Sequence, residues 1–312
     1  NFIFKIGQCK KNWTANNFIE SQTKLIQKLV PKGNVLVGVS GGVDSTVVAA
    51  LLNKAIGNRA ISVLIDHGLL RKNEAEICVS SLQTDLNINI HLFDQSKIFL
   101  KKLANIVDPE IKRKIIGNQF IYSFEKIAKD FKDTKFLAQG TLYPDVIESG
   151  LNEGKNSKVI KSHHNVGGLP EKMNFRLIEP LRELFKDEVR QVGIELGISK
   201  KLIFRHPFPG PGLAVRIIGK ITKKRVKVLQ KADEIFIDIL HEDNLYEKIW
   251  QAFAILIPVK TVGVMGDKRT YENIIAIRSV TSTDGMTADW YSMPHKTLNK
   301  ISNKILNSVK GV

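Results

Sequence analysis

The chain has 312 residues, 43% hydrophobic and 25% charged, with a formal net charge of +16. That length suits about two domains, the composition is that of a globular protein with a sizeable core, and no stretch approaches the roughly 18–20 apolar residues that span a bilayer. The start, Asn1-Phe2-Ile3-Phe4, lacks a secretion signal's basic and long apolar segments, and Cys9 and Cys78 make neither a disulfide framework nor a metal knuckle.

These features lead us to expect a cytoplasmic protein with no membrane partner. With no Met at its start, the chain reads as a fragment or a processed form. Lys and Arg are spread along it with no run of five or more, and alternate with acids. No nucleic-acid partner is therefore expected; a solvated basic surface and anionic nucleotide substrates account for the charge.

In chain order, Phe18, Ile19, Gln22, Leu25, Ile26 and Leu29 fall at helical spacing, and Pro31-Lys32-Gly33 ends that helix. Val35 to Val39 is an apolar strand, followed by Ser40-Gly41-Gly42-Val43-Asp44-Ser45 and a helix to about Ile56. Glycines let backbone N–H groups approach an anion, Ser40 and Ser45 add donors, and the helix start presents its positive end. Asp44 would repel a bare phosphate, so a divalent cation is expected with the ligand. The alternative is an ordinary turn with Asp44 or Ser45 as N-cap. There is no G-x-x-x-x-G-K-[ST], so the machinery that handles a terminal phosphate is absent.

Ala60 to Ile65 reads as a second strand, Asn73 to Leu86 as helix and Ile88 to Leu92 as a third strand. Pro109 to Phe131 is a long helix with Ile111, Ile115, Ile116, Phe120, Ile121 and Phe124 on one side, and Lys135 to Gln139 is a fourth strand. The polar run Leu151 to Lys158 reads as a loop, and its position suggests a lid. A short strand around Leu177 to Glu179 and a helix from Lys186 to Leu196 close the first part. A turn-rich joint lies at His206-Pro207-Phe208-Pro209-Gly210-Pro211-Gly212. Beyond it, Val215 to Ile218, Val262 to Met265 and Ile274 to Val280 read as strands, and Thr222 to Leu240 and Pro294 to Val309 as helices. The expected architecture is α/β, a parallel sheet covered on both faces, followed by a small α+β domain with single helices between its strands. Such open sheets bind ligands at the carboxyl ends of their strands.

The loop Ser40 to Ser45 resembles the SGGxDS pyrophosphate loop of the N-type ATP pyrophosphatases, adenine nucleotide alpha-hydrolase-like enzymes that release pyrophosphate and transfer AMP. Longer matches resemble the GMP synthetase family. They are Trp13 with Phe18-Ile19 as lead-in, Gln139 to Ser149 and Ile160 to Pro170 as lid motifs, and His206 to Leu213 as its HPFPGPGL signature. Trp250 to Phe253, Val262 to Asp267 and Asp284 to Trp290 match its C-terminal dimerisation region.

The resemblance covers essentially the whole chain. It implies an ATP pyrophosphatase domain over 1–205, with lead-in 1–17 and lid about 140–170, and a dimerisation domain over 206–312. It also implies a ligase reaction: ATP adenylylates xanthosine 5′-monophosphate (XMP), pyrophosphate leaves, and ammonia displaces AMP to give GMP. On the matched positions, Asp44, Asp145 and Glu148 would hold Mg²⁺, and Gly140 would line the ATP site. Lys161 would neutralise charge on the α-phosphate. Taken alone, Asp145 and Glu148 read as loop acids and Lys161 as a surface lysine. His163 and His164 read as phosphate donors, a base for ammonia, or structural hydrogen-bonders; on an extended segment they face opposite sides.

Asp66 and Arg71, after the second strand, would edge the adenosine and phosphates, or belong to a strand-ending turn. Pro209, Gly210, Pro211, Gly212 and Gln251 would read the XMP purine; the segment also reads as a rigid elbow. The family's glutamine amidotransferase domain is not in the chain, so ammonia would come from another domain or subunit or as free ammonia. The family's C-terminal tail, which contributes to the XMP site, is also missing beyond Val312. Two alternatives are a tRNA-modifying ATP pyrophosphatase and a non-catalytic nucleotide-binding module.

Overall fold

The computed structural model describes residues 2–8, 13–150, 175–265, 268–282 and 287–312. Five parallel strands form the first sheet: β1 (Asn34–Gly38), β2 (Ala60–Asp66), β3 (Ile90–Asp94), β4 (Thr134–Ala138) and β5 (Arg176–Ile178), in the order β3-β2-β1-β4-β5. Alternate side chains of each strand enter opposite cores. Val35 and Val37 join Phe18, Ile26, Val47, Leu51, Leu82 and Val192 on one face. Leu36, Ile61, Val63 and Ile65 face Phe99, Ile116 and Ile127 on the other.

The first face is covered by α1 (Ala15–Leu29), α2 (Val43–Ile56), α3 (Glu74–Leu86) and α7 (Lys186–Glu195). The second face takes α4 (Ser96–Lys102) and α5 (Pro109–Ala128), and also Leu229, Phe236 and Ile239 of α9 (Lys223–Glu242) and Ile301 and Ile305 of α10 (His295–Ser308). Among the described residues the remaining α-helices are α6 (Tyr143–Gly150) and the single turn α8 (Lys200–Ile203). A second sheet is antiparallel: β6 (Gln251–Met265), β7 (Lys268–Ser282) and β8 (Ala288–Trp290). One apolar core therefore runs through residues on both sides of the joint.

The parallel α/β sheet agrees with expectation, and several local readings change. β3 begins two residues later than expected, at Ile90, because Asn87 takes a left-handed turn (φ 50°) and Ile88 packs beneath it. Val215 to Ile218 is not a strand. Gly212–Arg216 winds as a 3₁₀ turn, and only Ile217 bridges to Leu256. The C-terminal strands β6 and β7 are not separated by a helix; they pair antiparallel, with a register irregularity between Ile257 and Thr261. On α5 the buried residues are Lys112, Ile116, Gln119, Ser123, Ile127 and Ala128, while Ile111 is 49% exposed. Among the described residues no helix is long and apolar enough to cross a membrane.

Candidate functional site

β1 lies between β2 and β4, so the loop after it opens at the carboxyl edge of the sheet's middle. The N-cap of α2 is Gly42, and no side chain caps it. Asp44 and Ser45 sit inside the first turn instead, which removes the reading in which either is the cap. Ser45 Oγ accepts from Ser40 N–H (3.1 Å) and donates to the Gly42 carbonyl (3.1 Å), and Ser40 Oγ lies 3.1 Å from Ser45 Oγ. Gly41 has φ +75°, and a Cβ there would lie 2.9 Å from Arg205 Nη1. The result is a partly exposed loop with two hydroxyls beside uncapped helix amides, a geometry that accepts an anion.

Asp44 projects beside this loop and is paired with Lys186, the first residue of α7; its carboxylate oxygens lie 2.7 and 2.6 Å from Nζ. The two side chains are 29% and 44% exposed, so the pair is open to exchange partners with a charged ligand. Gly140 packs against Asp44, where a Cβ would meet Asp44 Cβ at 3.1 Å. Behind the loop, Arg205 donates to the Gly41 carbonyl (3.2 Å) and pairs with buried Glu74, whose other oxygen accepts from Arg71 N–H (2.5 Å). Cys78 is buried nearby, and burial raises its thiol to about 11.

At the end of β2, Asp66 accepts from Gly68 N–H (2.7 Å), and burial raises its carboxyl pKa. The buried His67 then ties two segments together: Nδ1 accepts from Leu69 N–H (3.0 Å), and Nε2 donates to the Gly210 carbonyl (3.2 Å). Leu213 N–H donates to the Leu69 carbonyl (2.8 Å), and Gly212 (φ +58°) comes so close that a Cβ would lie 2.3 Å from that oxygen. The 206–213 segment is thereby docked on the same edge of the sheet as the Ser40–Ser45 loop.

Its start is held by His206, stacked on Tyr246 at 3.8 Å, with Nε2 donating to the Tyr246 carbonyl (2.9 Å) and Nδ1 accepting from Ala252 N–H (3.1 Å). Burial lowers both imidazoles to about 4, so both are neutral near pH 7.

Of the remaining expected residues, Arg71 has its guanidinium on Asp233 (3.0 Å) and the Ala252 carbonyl (3.0 Å). Gln251 donates to the Pro207 carbonyl (2.8 Å), beside Pro209, Gly210, Pro211 and Gly212. Asp145 accepts from Leu142 N–H (3.0 Å) at the start of α6, and Val43, the first residue of α2, is buried in the core. Lys161, His163 and His164 lie outside the described residues, as does the side chain of Glu148.

The structure therefore gathers Ser40 to Ser45, Asp44 and Gly140 in one place, and Gly210, Gly212, Gln251 and Arg71 in a second. Lys186 and the Arg205–Glu74 pair were missed. Lys186 carried a readable signal, since a cation opening a helix opposes the helix dipole unless something anionic holds it.

Residues 14–108 match the PP-loop domain model, and residues 238–312 match the GMP synthase C terminal domain model. Two segments of the chain are thus similar to these two domain families. A protein of Thermosipho melanesiensis named GMP synthase (glutamine-hydrolyzing) is 54% identical over 316 residues, spanning 100% of this chain and 61% of that protein. A protein of Pelodictyon phaeoclathratiforme with the same name is 55% identical over 312 residues, spanning 100% of this chain and 60% of that protein. The chain thus spans about 60% of the length of the curated relatives it matches. The fold is also that of the NMN synthetase of Francisella tularensis (TM-score 0.50, 15% identity, covering 76% of this chain and 94% of that one).

Proposed function

We propose that this chain is the synthetase part of a GMP synthetase, using ATP to adenylylate XMP and ammonia to displace AMP, with pyrophosphate as the other product. The observation that carries this reading is the uncapped start of α2, flanked by Ser40, Ser45 and the exchangeable Asp44–Lys186 pair. A leaving pyrophosphate fits there: the loop amides and hydroxyls bind its oxygens, and Lys186 turns from Asp44 to the phosphate. The identity of the long-chain relatives supports the acceptor.

Among the described residues no group of three His, Cys, Asp or Glu side chains is arranged to hold a metal ion. That suits Mg²⁺ arriving with ATP, since Mg²⁺ is commonly held by one or two carboxylates plus substrate phosphates. Asp44 would hold it, with Asp145 and Glu148 as the further candidates, and the ion would draw charge from the leaving pyrophosphate. Lys161, with His163 or His164, would stabilise charge at the α-phosphate. Asp66 and Arg71 would border the ATP site, with Gly140 against Asp44. Pro209 to Gly212 and Gln251 would border the XMP purine.

A glutamine amidotransferase domain or subunit would supply ammonia in the cytoplasm, with free ammonium as substitute. The joint near His206 would divide ATP pyrophosphatase from dimerisation domain, and exposed Val259, Val262, Tyr271 and Trp290 on the second sheet offer an apolar homodimer contact.

The test is pyrophosphate release from Mg-ATP and ammonium chloride with and without XMP, with nucleotide products identified. AMP, GMP and pyrophosphate should appear together and depend on XMP. Pyrophosphate release that ignores XMP would remove the ligase reading.

A further inference from the structure

Arg216 closes the 3₁₀ turn that follows the joint and is only 3% exposed. Its guanidinium lies 4.0 Å from the Phe253 ring centroid and 4.7 Å from that of Phe208. Neither Nη1 nor Nη2 has a hydrogen-bond partner among the described residues. Aromatic faces attract a cation but cannot accept its in-plane N–H bonds. A buried guanidinium with its Nη edge unmet is costly and points to an acceptor that joins from outside.

The charges around it point to the sign of that acceptor. The nearby acids are already engaged: Asp233 holds Arg71 at 3.0 Å, and Glu74 holds Arg205. Arg278 lies 5.9 Å from the Phe253 ring centroid and adds further positive charge. Arg216 is thus a surplus cation; burial and then Arg71 lower its pKa to about 10.

Phe208 is the cover. It is half-buried on the 206–211 segment, and its ring centroid is 5.2 Å from Arg71 as well as 4.7 Å from Arg216. Turning that one ring away would uncover both guanidiniums at once.

We propose that Arg216 is a binding residue for a phosphate oxyanion, reached when Phe208 swings aside, and that the fork of Nη1 and Nη2 grips two of its oxygens. Two sources carry this chemistry: the 5′-phosphate of a nucleoside monophosphate, and free phosphate or pyrophosphate. This rests on the proposed function only in taking the acceptor nucleotide as one candidate source.

The experiment is calorimetric titration of the full 312-residue chain with XMP, AMP, inorganic phosphate and pyrophosphate, for wild type, Arg216→Lys, Arg216→Met and Phe208→Ala. Losing a bidentate charged contact should weaken the phosphate-bearing ligand by about ten- to a hundredfold in Arg216→Met and by a smaller factor in Arg216→Lys. Phe208→Ala keeps the arginine and should bind the same ligand several-fold more tightly. It decides the matter if Arg216→Met does not fold.

A monophosphate-only effect assigns the site to a nucleotide, and an effect shared with phosphate or pyrophosphate assigns it to the free ion. Unchanged affinities in a folded Arg216→Met, or no gain in Phe208→Ala, overturn the proposal and leave Arg216 a packing residue. A chain that makes no GMP yet loses oxyanion binding with Arg216 would sink the ligase reading and leave this inference standing.

Discussion

His67 and His206 show how single side chains set the position of a whole segment. Each is neutral and uses both ring nitrogens, one accepting from a backbone N–H and one donating to a carbonyl of a distant stretch. Folding lowers each pKa from 6.5 to about 4, so between those values the unfolded chain binds protons that the folded chain refuses. Stability is therefore full above about pH 6.5 and falls with acidification, by up to about 1.4 kcal/mol per pH unit for each histidine. Urea midpoints measured from pH 7 to 4.5 should fall, and His206→Gln should fall less steeply than wild type; parallel curves would refute the assignment. Gly212 is held as tightly by backbone: its φ of +58° and the 2.3 Å approach of a Cβ to the Leu69 oxygen leave no room for a side chain. Gly212→Ala should lose about 2–3 kcal/mol, checked by the same denaturation.

Helix α5 shows what the sequence made legible and what it withheld. Its start was legible at Pro109, with Asp108 capping it by accepting from Ile111 N–H at 2.8 Å, but it ends at Ala128 rather than at the expected Phe131. Of the expected apolar side, Ile116 is buried and Ile115, Phe120 and Phe124 pack against the same core, but Ile111 is exposed and Lys112, 1% exposed, faces inward. Hydrophobic spacing cannot foresee a buried lysine, since what draws it inward is three carbonyls of a remote segment. Nζ donates to Ala214 (3.2 Å), Ile217 (2.8 Å) and Gly219 (2.7 Å). The same carbonyls explain why Val215 to Ile218 did not become a strand. The Ser40–Ser45 loop was legible for the opposite reason, being local; Lys186 reaches Asp44 across 142 positions. Lys112→Met should cost about 2–4 kcal/mol by orphaning carbonyls, whereas Lys135→Ala, which breaks the exposed pair with Asp133 (2.9 Å), should cost under about 0.5 kcal/mol. Equal losses would show that Lys112 contributes no more than a surface pair.

At the scale of the molecule, the second face of the parallel sheet is covered by residues from beyond the joint. Leu36, Ile61, Val63, Ile65 and Leu69 share one core with Leu213, Leu229, Phe236, Ile239, Leu256 and Ile301. The polar links run the same way: Arg71 to Asp233, Lys72 to Glu234 at 2.8 Å and Gln230 to the Leu70 carbonyl at 2.8 Å. A proline- and glycine-rich stretch reads in sequence as a separator, yet here Gly210 and Leu213 are hydrogen-bonded to His67 and Leu69 at the sheet edge, and His206 and Pro207 to Tyr246, Ala252 and Gln251. Burial of apolar side chains contributes about 1.5–3 kcal/mol each, so leaving this face bare forfeits more than the few kcal/mol that separate a folded domain from its unfolded chain. Residues 1–205 produced alone should therefore bind a hydrophobic dye such as ANS and melt without a sharp transition, while the full chain melts cooperatively. A sharp urea transition for 1–205, with a midpoint near that of the full chain and no dye binding, would mean that the first sheet is stable without its second cover.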